Sequence, residues 1–227
     1  MRDLFADPAG AADALAALAR KPLNFDLAGG SPSAGAGWRI DDYRQALPRE
    51  PAGPPLAAGP WEAACRVLRE YEFVDPAIVR AAFRADAPLA GRDMLLELRV
   101  LGLRFHVGVR VGEVIAGTVA AGGREAERWG WCYRTLEGHF EAGQMDYELW
   151  KWLDTGEVEF RIHAFSRTAR IDNPLLRLGF RLLGRRKQAR FGRTACERMR
   201  RLTEDELRAT RPTPRTAPGG LALRPTR

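Results

Sequence analysis

Apolar and polar residues alternate through the middle of the chain with the two-residue period of a β-strand. The first run starts near residue 92 and is clearest at Leu103, Phe105, Val107, Val109 and Val111. A second run, residues 157–164, repeats the period after the turn signal Asp154-Thr155-Gly156. Because successive side chains of a strand point to opposite faces, both runs predict strands with one apolar and one polar face.

Two further strands are predicted between these runs. Trp129 and Trp131 alternate in the first strand, and residues 145–153 form the second. The second strand has two registers, because either Tyr147 or Trp150 can point into the core, and the pattern leaves both open. Successive hairpins of these strands predict an antiparallel meander.

Short helical patterns precede the strands. Residues 11–20 predict an alanine-rich helix, and residues 61–70 predict a second one. Asp75 followed by Pro76 has the form of an N-cap before a proline at the first helical position, which predicts a third helix over residues 76–83.

A long helix is predicted after the strands, with Asn173 as its N-cap and Pro174 at its first position. Its apolar arc consists of Leu175, Leu176, Leu178, Phe180, Leu182 and Leu183. Arginines spaced four residues apart occupy the opposite side. Glycine weakens a helix by about 1 kcal/mol relative to alanine, so a bend or break is expected near Gly184.

The charge is unevenly distributed. Residues 1–176 carry a net charge of −4 and residues 177–227 carry +11, which together give the +7 of the whole chain. A basic helix with an apolar side predicts docking to an anionic membrane surface, with a solvated helix back as the alternative. Nucleic acid is a less favoured partner, because no nucleic-acid motif is present.

Length and composition limit the number of domains that the chain can form. A chain of 227 residues with 45% hydrophobic content can bury one substantial core. We expect an N-terminal helical extension over 1–22, one domain over 23–206 and a disordered basic tail over 207–227. Three cysteines fit neither a disulfide framework nor a paired zinc site, and no spanning or secretory segment is apparent, so a cytoplasmic location is expected.

These elements predict an α+β fold in which a curved antiparallel sheet, preceded by short helices, is gripped by one long C-terminal helix. The residues also carry a family pattern. The central signature Thr-Leu-x-Gly-His-x-Glu-x-Gly is met by Thr135, Leu136, Gly138, His139, Glu141 and Gly143. The second signature, Ala-Phe-Ser-Arg, is met by residues 164–167. On these residues the chain resembles the uncharacterised domain-of-unknown-function family nineteen-ninety, over roughly residues 23–205.

The chain departs from that family pattern at several positions. Phe140 and Thr168 stand where many members have proline, and Gln144 and Met145 stand where many have acids. Any acid chemistry that depended on those carboxylates is therefore in doubt for this chain.

The pattern is similar to that of START-like and pollen-allergen-like helix-grip proteins, which implies binding of an apolar small molecule or lipid between the sheet and the long helix. The expected apolar lining is Phe105, Val107, Trp131, Tyr133, Tyr147, Phe160 and Leu178. Three arginines are candidates for clamping a carboxylate or phosphate at a cavity mouth, namely Arg92, Arg110 and Arg167. The alternative is that they are solvated or loosely ion-paired on the polar face of the sheet.

The Gly-His pair in the quoted signature allows two interpretations. His139 and Glu141 could act as a general acid and base at the rim of the fold, or His139 could bind a metal with His163. Flanking Gly138 and Gly143 favour a tight turn instead, in which the histidine bonds backbone groups. The sequence leaves open whether the chain catalyses a reaction. No metal site and no cofactor are expected, since no HxxxH or CxxC spacing is present.

Overall fold

A computed structural model describes residues 6–26, 32–33, 37–100, 102–169, 174–209 and 220–225, with the backbone alone at residue 100 and over 174–189. The helices are α1 (Pro8–Ala17), which continues as a 3-10 turn over Leu18–Arg20, α2 (Pro60–Arg69) and α3 (Pro174–Arg208). The strands are β1 (Arg39–Leu47), β2 (Val79–Arg84), β3 (Asp93–Val100), β4 (Leu103–Ala121), β5 (Arg124–Thr135), β6 (Glu141–Trp152), β7 (Val158–Thr168) and β8 (Leu221–Arg224).

The eight strands form one antiparallel sheet in the order β1-β7-β6-β5-β4-β3-β2-β8. Strands β2 to β7 follow one another as a meander, so that prediction is confirmed. The long helix α3 packs against α2 and against β1 and β7 at one side of the sheet. The predicted α+β architecture, with short N-terminal helices and one long C-terminal helix over an antiparallel sheet, is confirmed.

The inner face of the sheet is the one that α2 and α3 cover, and the main core lies there. The helix side of this core comes from α2 and from Phe191, Ala195, Met199 and Leu202 of α3. Close approach of α3 to β1 depends on Gly192, since a Cβ atom there would lie 2.4 Å from the ring of Tyr43. The helix backbone is continuous through residue 184, so the expected break is absent.

The outer face carries a smaller core beneath α1. Leu15 and Leu18 of the N-terminal segment pack there against Ala82, Leu95 and other buried apolar residues of the sheet. Arg110 holds the segment in place, because it pairs with Asp93 at 2.7 Å and donates to the carbonyl oxygen of Leu18 at 3.0 Å.

Pairing with β5 and β7 settles the register of β6. Tyr147 and Leu149 lie in the inner core, whereas Trp150 and Trp152 lie on the outer face. Arg161 lies 4.1 Å from the ring centroid of Trp150, and Arg124 lies 4.2 Å from that of Trp152. The two tryptophans are thus buried beneath arginines rather than in the core, a favourable cation–π arrangement.

Two elements differ from the sequence-based prediction near β2. Residues 79–84 form a strand instead of the helix expected over 76–83, because both faces of β2 are covered, and Ala81, Ala82 and Phe83 therefore read as one continuous apolar run. Asp75 caps only a turn, in which its carboxylate accepts the amide of Ala77 at 2.8 Å.

The C-terminal residues also differ from the predicted disordered tail over 207–227. Leu221–Arg224 add β8 to the edge of the sheet beside β2. Arg224 is buried and reaches Glu70 at 2.9 Å and Glu72 at 3.2 Å. In the described part of the chain, no helix is long and apolar enough to cross a membrane.

Candidate functional site

A layer of aromatic side chains covers the centre of the inner face. Trp131 and Tyr133 come from β5, Tyr147 from β6, and Tyr71 from the segment that follows α2. Ring centroids of Trp131 and Tyr147 are 5.2 Å apart, and those of Tyr133 and Tyr147 are 5.7 Å apart. Phe73 closes the layer from the helix side, at 4.8 Å from Tyr147.

The layer contains polar atoms with few partners. Tyr147 donates its hydroxyl to the sulfur of Met145 at 2.9 Å, and Tyr133 lies 3.6 Å from the same sulfur. The hydroxyl of Tyr71 and the indole N–H of Trp131 are buried and have no hydrogen-bond partner among the described residues. Burial raises the pKa of all three tyrosines, so their hydroxyls stay protonated at any physiological pH.

Apolar side chains continue the inner face toward one end of the sheet, where burial becomes incomplete. Leu98, Phe105, Phe140 and Met145 are all only partly buried. Phe105 of β4 meets Phe140 of the β5–β6 turn edge to face, with ring centroids 5.3 Å apart. Tyr133, at the edge of the tyrosine layer nearest this open end, is 9% exposed.

The signature residues shape the β5–β6 turn beside this open end. Thr135 accepts the amide of Gly143 at 2.9 Å and donates to Asn24 at 2.6 Å, so it ties the hairpin to the N-terminal segment. Gly138 has a φ of +88°, a conformation that favours glycine. A Cβ atom at Gly143 would lie 2.1 Å from the carbonyl oxygen of Phe165, so β6 and β7 require glycine there.

His139 serves the same turn. Its Nδ1 lies 3.0 Å from the amide nitrogen of Glu141, whose carbonyl oxygen already accepts Asn24 at 2.9 Å. The amide N–H of Glu141 therefore donates to Nδ1. Burial lowers the pKa of His139 to about 4, and this neutral ring matches an accepting Nδ1.

Glu141 is engaged by Arg39 of β1. The guanidinium of Arg39 lies 2.9 Å from the Glu141 carboxylate and 3.5 Å from the hydroxyl of Ser166. Burial raises the pKa of Glu141, and Arg39 opposes that shift. Within the described residues, no hydrogen bond joins the side chains of His139 and Glu141 to each other. The pair thus has the contacts of a structural turn, without those of an acid–base couple.

Comparison with known families follows from this geometry. A family model described as "Domain of unknown function (DUF1990)" matches residues 26–198. The chain belongs to the DUF1990 family. The resemblance seen in the signature residues is thereby confirmed. Among solved structures, the crystal structure of Ara h 8.0201 is similar, with a TM-score of 0.41 and 10% identity, covering 74% of this chain and 99% of that chain. No curated protein matches the chain.

Two departures from the DUF1990 pattern lie on the inner face. Phe140 packs against Phe105 at the open end, and Met145 receives the hydroxyl of Tyr147. Both positions therefore make this end more apolar than the proline and the acid of other members would.

The apolar residues predicted to line a site are brought together on the inner face. Val107, Trp131, Tyr133, Tyr147 and Phe160 belong to one buried cluster, with Phe105 at its open end. The seventh predicted lining residue, Leu178, belongs to α3 at a position whose side chain lies outside the described residues.

The three predicted arginine clamps are not brought together. Arg110 lies on the outer face with Asp93, and Arg167 stacks on the ring of Trp38 at 4.4 Å, also on the outer face. Arg92 lies over the ring of Phe83 at 5.0 Å and donates to the carbonyl oxygen of Ala87. The alternating pattern had placed Arg110 on the polar side of its strand, and its role in binding a ligand stays a prediction.

Metal-ligand geometry is not present at the histidines. His163 pairs with Asp42 at 2.8 Å, where β7 meets β1. In the ranges that the structure describes, no group of three or more histidine, cysteine or carboxylate side chains is placed to hold a metal ion.

Sequence reasoning missed Arg39, Tyr71 and Met145 as members of the site. Tyr71 has a φ of +58°, which is uncommon outside glycine and cannot be read from the sequence. Arg39 belongs to an edge strand, β1, that was not predicted, because the run Arg-Ile-Asp-Asp-Tyr-Arg shows no regular apolar period. Met145 was named for its place in the strand and as a departure from the family pattern, and not as a member of the site.

A second concave surface lies on the outer face. A groove of about 610 Å³ runs between α1 and the β2–β3 end of the sheet. Its helix wall is formed mainly by alanines, including Ala12 and Ala16, and its other wall includes Arg84, which pairs with Asp86. Any test of ligand binding has to separate this groove from the inner face.

Proposed function

We propose that this DUF1990 chain binds an apolar small molecule or lipid on the inner face of its sheet, at the end bounded by Leu98, Phe105, Phe140 and Met145. The observation that carries the proposal is the incomplete burial of these four apolar side chains beside a fully packed core. Proteins seldom leave such residues together without a function for them, since burying apolar surface gains about 25 cal/mol per Å².

The surroundings of this end support a binding role over turnover. The nearest titratable pair, His139 and Glu141, is engaged by a backbone amide and by Arg39, and among the described residues no hydrogen bond joins the two side chains. Apolar walls with a few placed polar groups are typical of small-molecule sites.

A titration with N-phenyl-1-naphthylamine, a neutral probe whose fluorescence rises in apolar surroundings, tests the proposal. We expect saturable binding by the wild-type chain and at least a tenfold loss of affinity in Leu98→Trp, because the larger ring occupies the open end. The matched control is Ala12→Trp, which fills the outer groove and leaves the inner face unchanged. The reverse result, with binding lost only in Ala12→Trp, would move the site to the outer groove.

Docking of α3 to an anionic membrane stays a prediction. The described C-terminal half of the helix presents Arg190, Arg193, Arg200 and Arg201 to solvent. Arg200 is paired with Glu204 at 2.7 Å, so part of this basic surface is neutralised within the helix. Co-sedimentation with vesicles of anionic lipid at low salt checks the prediction, and no binding there would contradict it.

A further inference from the structure

Two buried hydrogen-bond donors in the aromatic layer beneath the open end lack a partner among the described residues. Tyr71 and Trp131 are 1% and 2% exposed, yet the hydroxyl of the first and the indole N–H of the second have no partner among the described residues. Tyr133 and Tyr147 direct their hydroxyls toward the sulfur of Met145, which is a weak acceptor. Buried polar groups are nearly always hydrogen-bonded, so unpaired donors in a core call for an explanation.

The rings that carry the four donors adjoin one another. Tyr71 lies 6.0 Å from Trp131 and 6.3 Å from Tyr147 between ring centroids, and Tyr133 lies 5.7 Å from Tyr147. The layer is continuous with the partly exposed residues of the open end through Tyr133 and Met145. A molecule that enters at the open end therefore meets hydrogen-bond donors at its leading end and apolar surface along its length.

We infer that the ligand carries a neutral acceptor oxygen, such as the carbonyl oxygen of a ketone, ester or quinone. This oxygen accepts hydrogen bonds from the hydroxyls of Tyr71 and Tyr133 and from the indole N–H of Trp131. This inference rests on the proposed function. It narrows the ligand from any apolar molecule to one with a carbonyl-type oxygen at one end.

The charges near the layer favour a neutral group over a carboxylate or phosphate. The four donors are surrounded by aromatic side chains and methionine, and the charged group that acts on Tyr133 is the Glu141 carboxylate, which would repel an anion. The cation closest to it, Arg39, is already paired with that carboxylate. A buried anion without a paired cation is strongly disfavoured, whereas a carbonyl needs donors alone.

A matched pair of probes tests the inference. 9-Fluorenone and fluorene have nearly the same shape and differ in the carbonyl, and each displaces bound N-phenyl-1-naphthylamine if it shares the site. We expect wild-type protein to bind fluorenone about tenfold more tightly than fluorene, as two or three neutral hydrogen bonds would give after the cost of leaving water. The carbonyl infrared band of bound fluorenone should also shift to lower frequency.

Variants test whether the hydroxyls of Tyr71 and Tyr133 cause the preference for fluorenone over fluorene. In Tyr71→Phe/Tyr133→Phe the preference for fluorenone should fall to about twofold or less, with fluorene affinity unchanged. Tyr43→Phe is the control, since Tyr43 packs on Gly192 of α3 away from the layer. Thermal unfolding shows whether each variant is folded. Removing the unpaired Tyr71 hydroxyl should leave the stability of the unliganded protein unchanged or raised.

The outcomes separate the two proposals. Equal binding of both probes by the wild type, or a preference that survives in the double variant, would overturn the inference while the binding function stands. If neither probe displaces the naphthylamine, or if the naphthylamine itself does not bind, the proposed function fails and the inference fails with it.

Discussion

At the scale of single residues, the β5–β6 turn shows how an apparently reactive motif is used for structure. Thr135, His139 and Gly143 each satisfy or accommodate a backbone group of the turn, and Glu141 joins it to Arg39. The turn positions Phe140 at the open end of the inner face, against Phe105. The signature thus places an apolar side chain at the end of the sheet where we propose that the ligand binds.

The protonation of His139 gives a pH prediction. Its pKa is lowered by burial to about 4 in the folded chain, below the 6.5 of an exposed histidine, so between these values only the unfolded chain takes up a proton. The contribution of neutral His139 to the free energy of unfolding is fully present above pH 6.5 and is lost as the pH drops toward 4. The loss is up to about 3 kcal/mol, since each unit of pKa difference corresponds to about 1.4 kcal/mol.

Urea unfolding of wild type and His139→Asn between pH 7.5 and 4 checks this prediction. The asparagine oxygen replaces Nδ1 as acceptor for the Glu141 amide but does not titrate in this range. We expect the stability difference between the two proteins to shrink or reverse as the pH falls. Parallel curves would show that His139 is protonated equally in both states.

At this scale the sequence predicted the tight turn from its glycines and the inner face from its alternating residues. It could not predict that Arg39 reaches Glu141, because the two are about a hundred positions apart and meet only through the pairing of β1 with β7 and of β7 with β6. The φ of Tyr71 likewise depends on the segment between α2 and β2 being held by tertiary contacts.

At the scale of elements, one buried ion pair connects three parts of the fold. Lys151 of β6 and Glu50, which follows β1, are both fully buried in their side chains and lie 2.6 Å apart. Glu50 also accepts the amides of Leu56 at 3.0 Å and of Trp61, in the first turn of α2, at 2.8 Å. The carboxylate thereby fixes α2 over the inner face, where a negative charge at a helix N-terminus is favourable.

Substitution of Lys151 tests this role. Lys151→Met leaves the Glu50 carboxylate buried without its cation, which should destabilise the fold by about 3–5 kcal/mol in urea unfolding. Adding Glu50→Gln should recover part of the loss, because the amide oxygen still accepts a backbone N–H and no unpaired charge remains. A loss below about 1 kcal/mol in the single variant would show that solvent reaches this pair.

The elements were predicted unevenly, for physical reasons. The central strands have one apolar face and one polar face, and their period was plain in the sequence. Strand β2 is covered on both faces, β1 is a polar edge strand, and β8 has four residues, so none of the three carries that period. Their pairing comes from the completed sheet.

At the scale of the whole molecule, the helices divide the two faces of the sheet between a main core and a smaller one. α2 and the C-terminal half of α3 seal the inner face at one end, and α1 covers the outer face at the other side. Among the described residues, the inner face is buried at the tyrosine layer and partly exposed beside Phe105 and Phe140. This division is the basis for proposing a ligand at the open end.

The most direct test is native mass spectrometry of freshly purified protein, followed by denaturing extraction of any bound compound. The proposal predicts a one-to-one adduct with an apolar molecule, which is absent from Leu98→Trp and retained in Ala12→Trp. The extracted compound, added back to the stripped protein, should change the tryptophan fluorescence. A bare chain mass in every preparation, together with no fluorescence response to added lipids or aromatic ketones, would contradict a ligand site on the inner face.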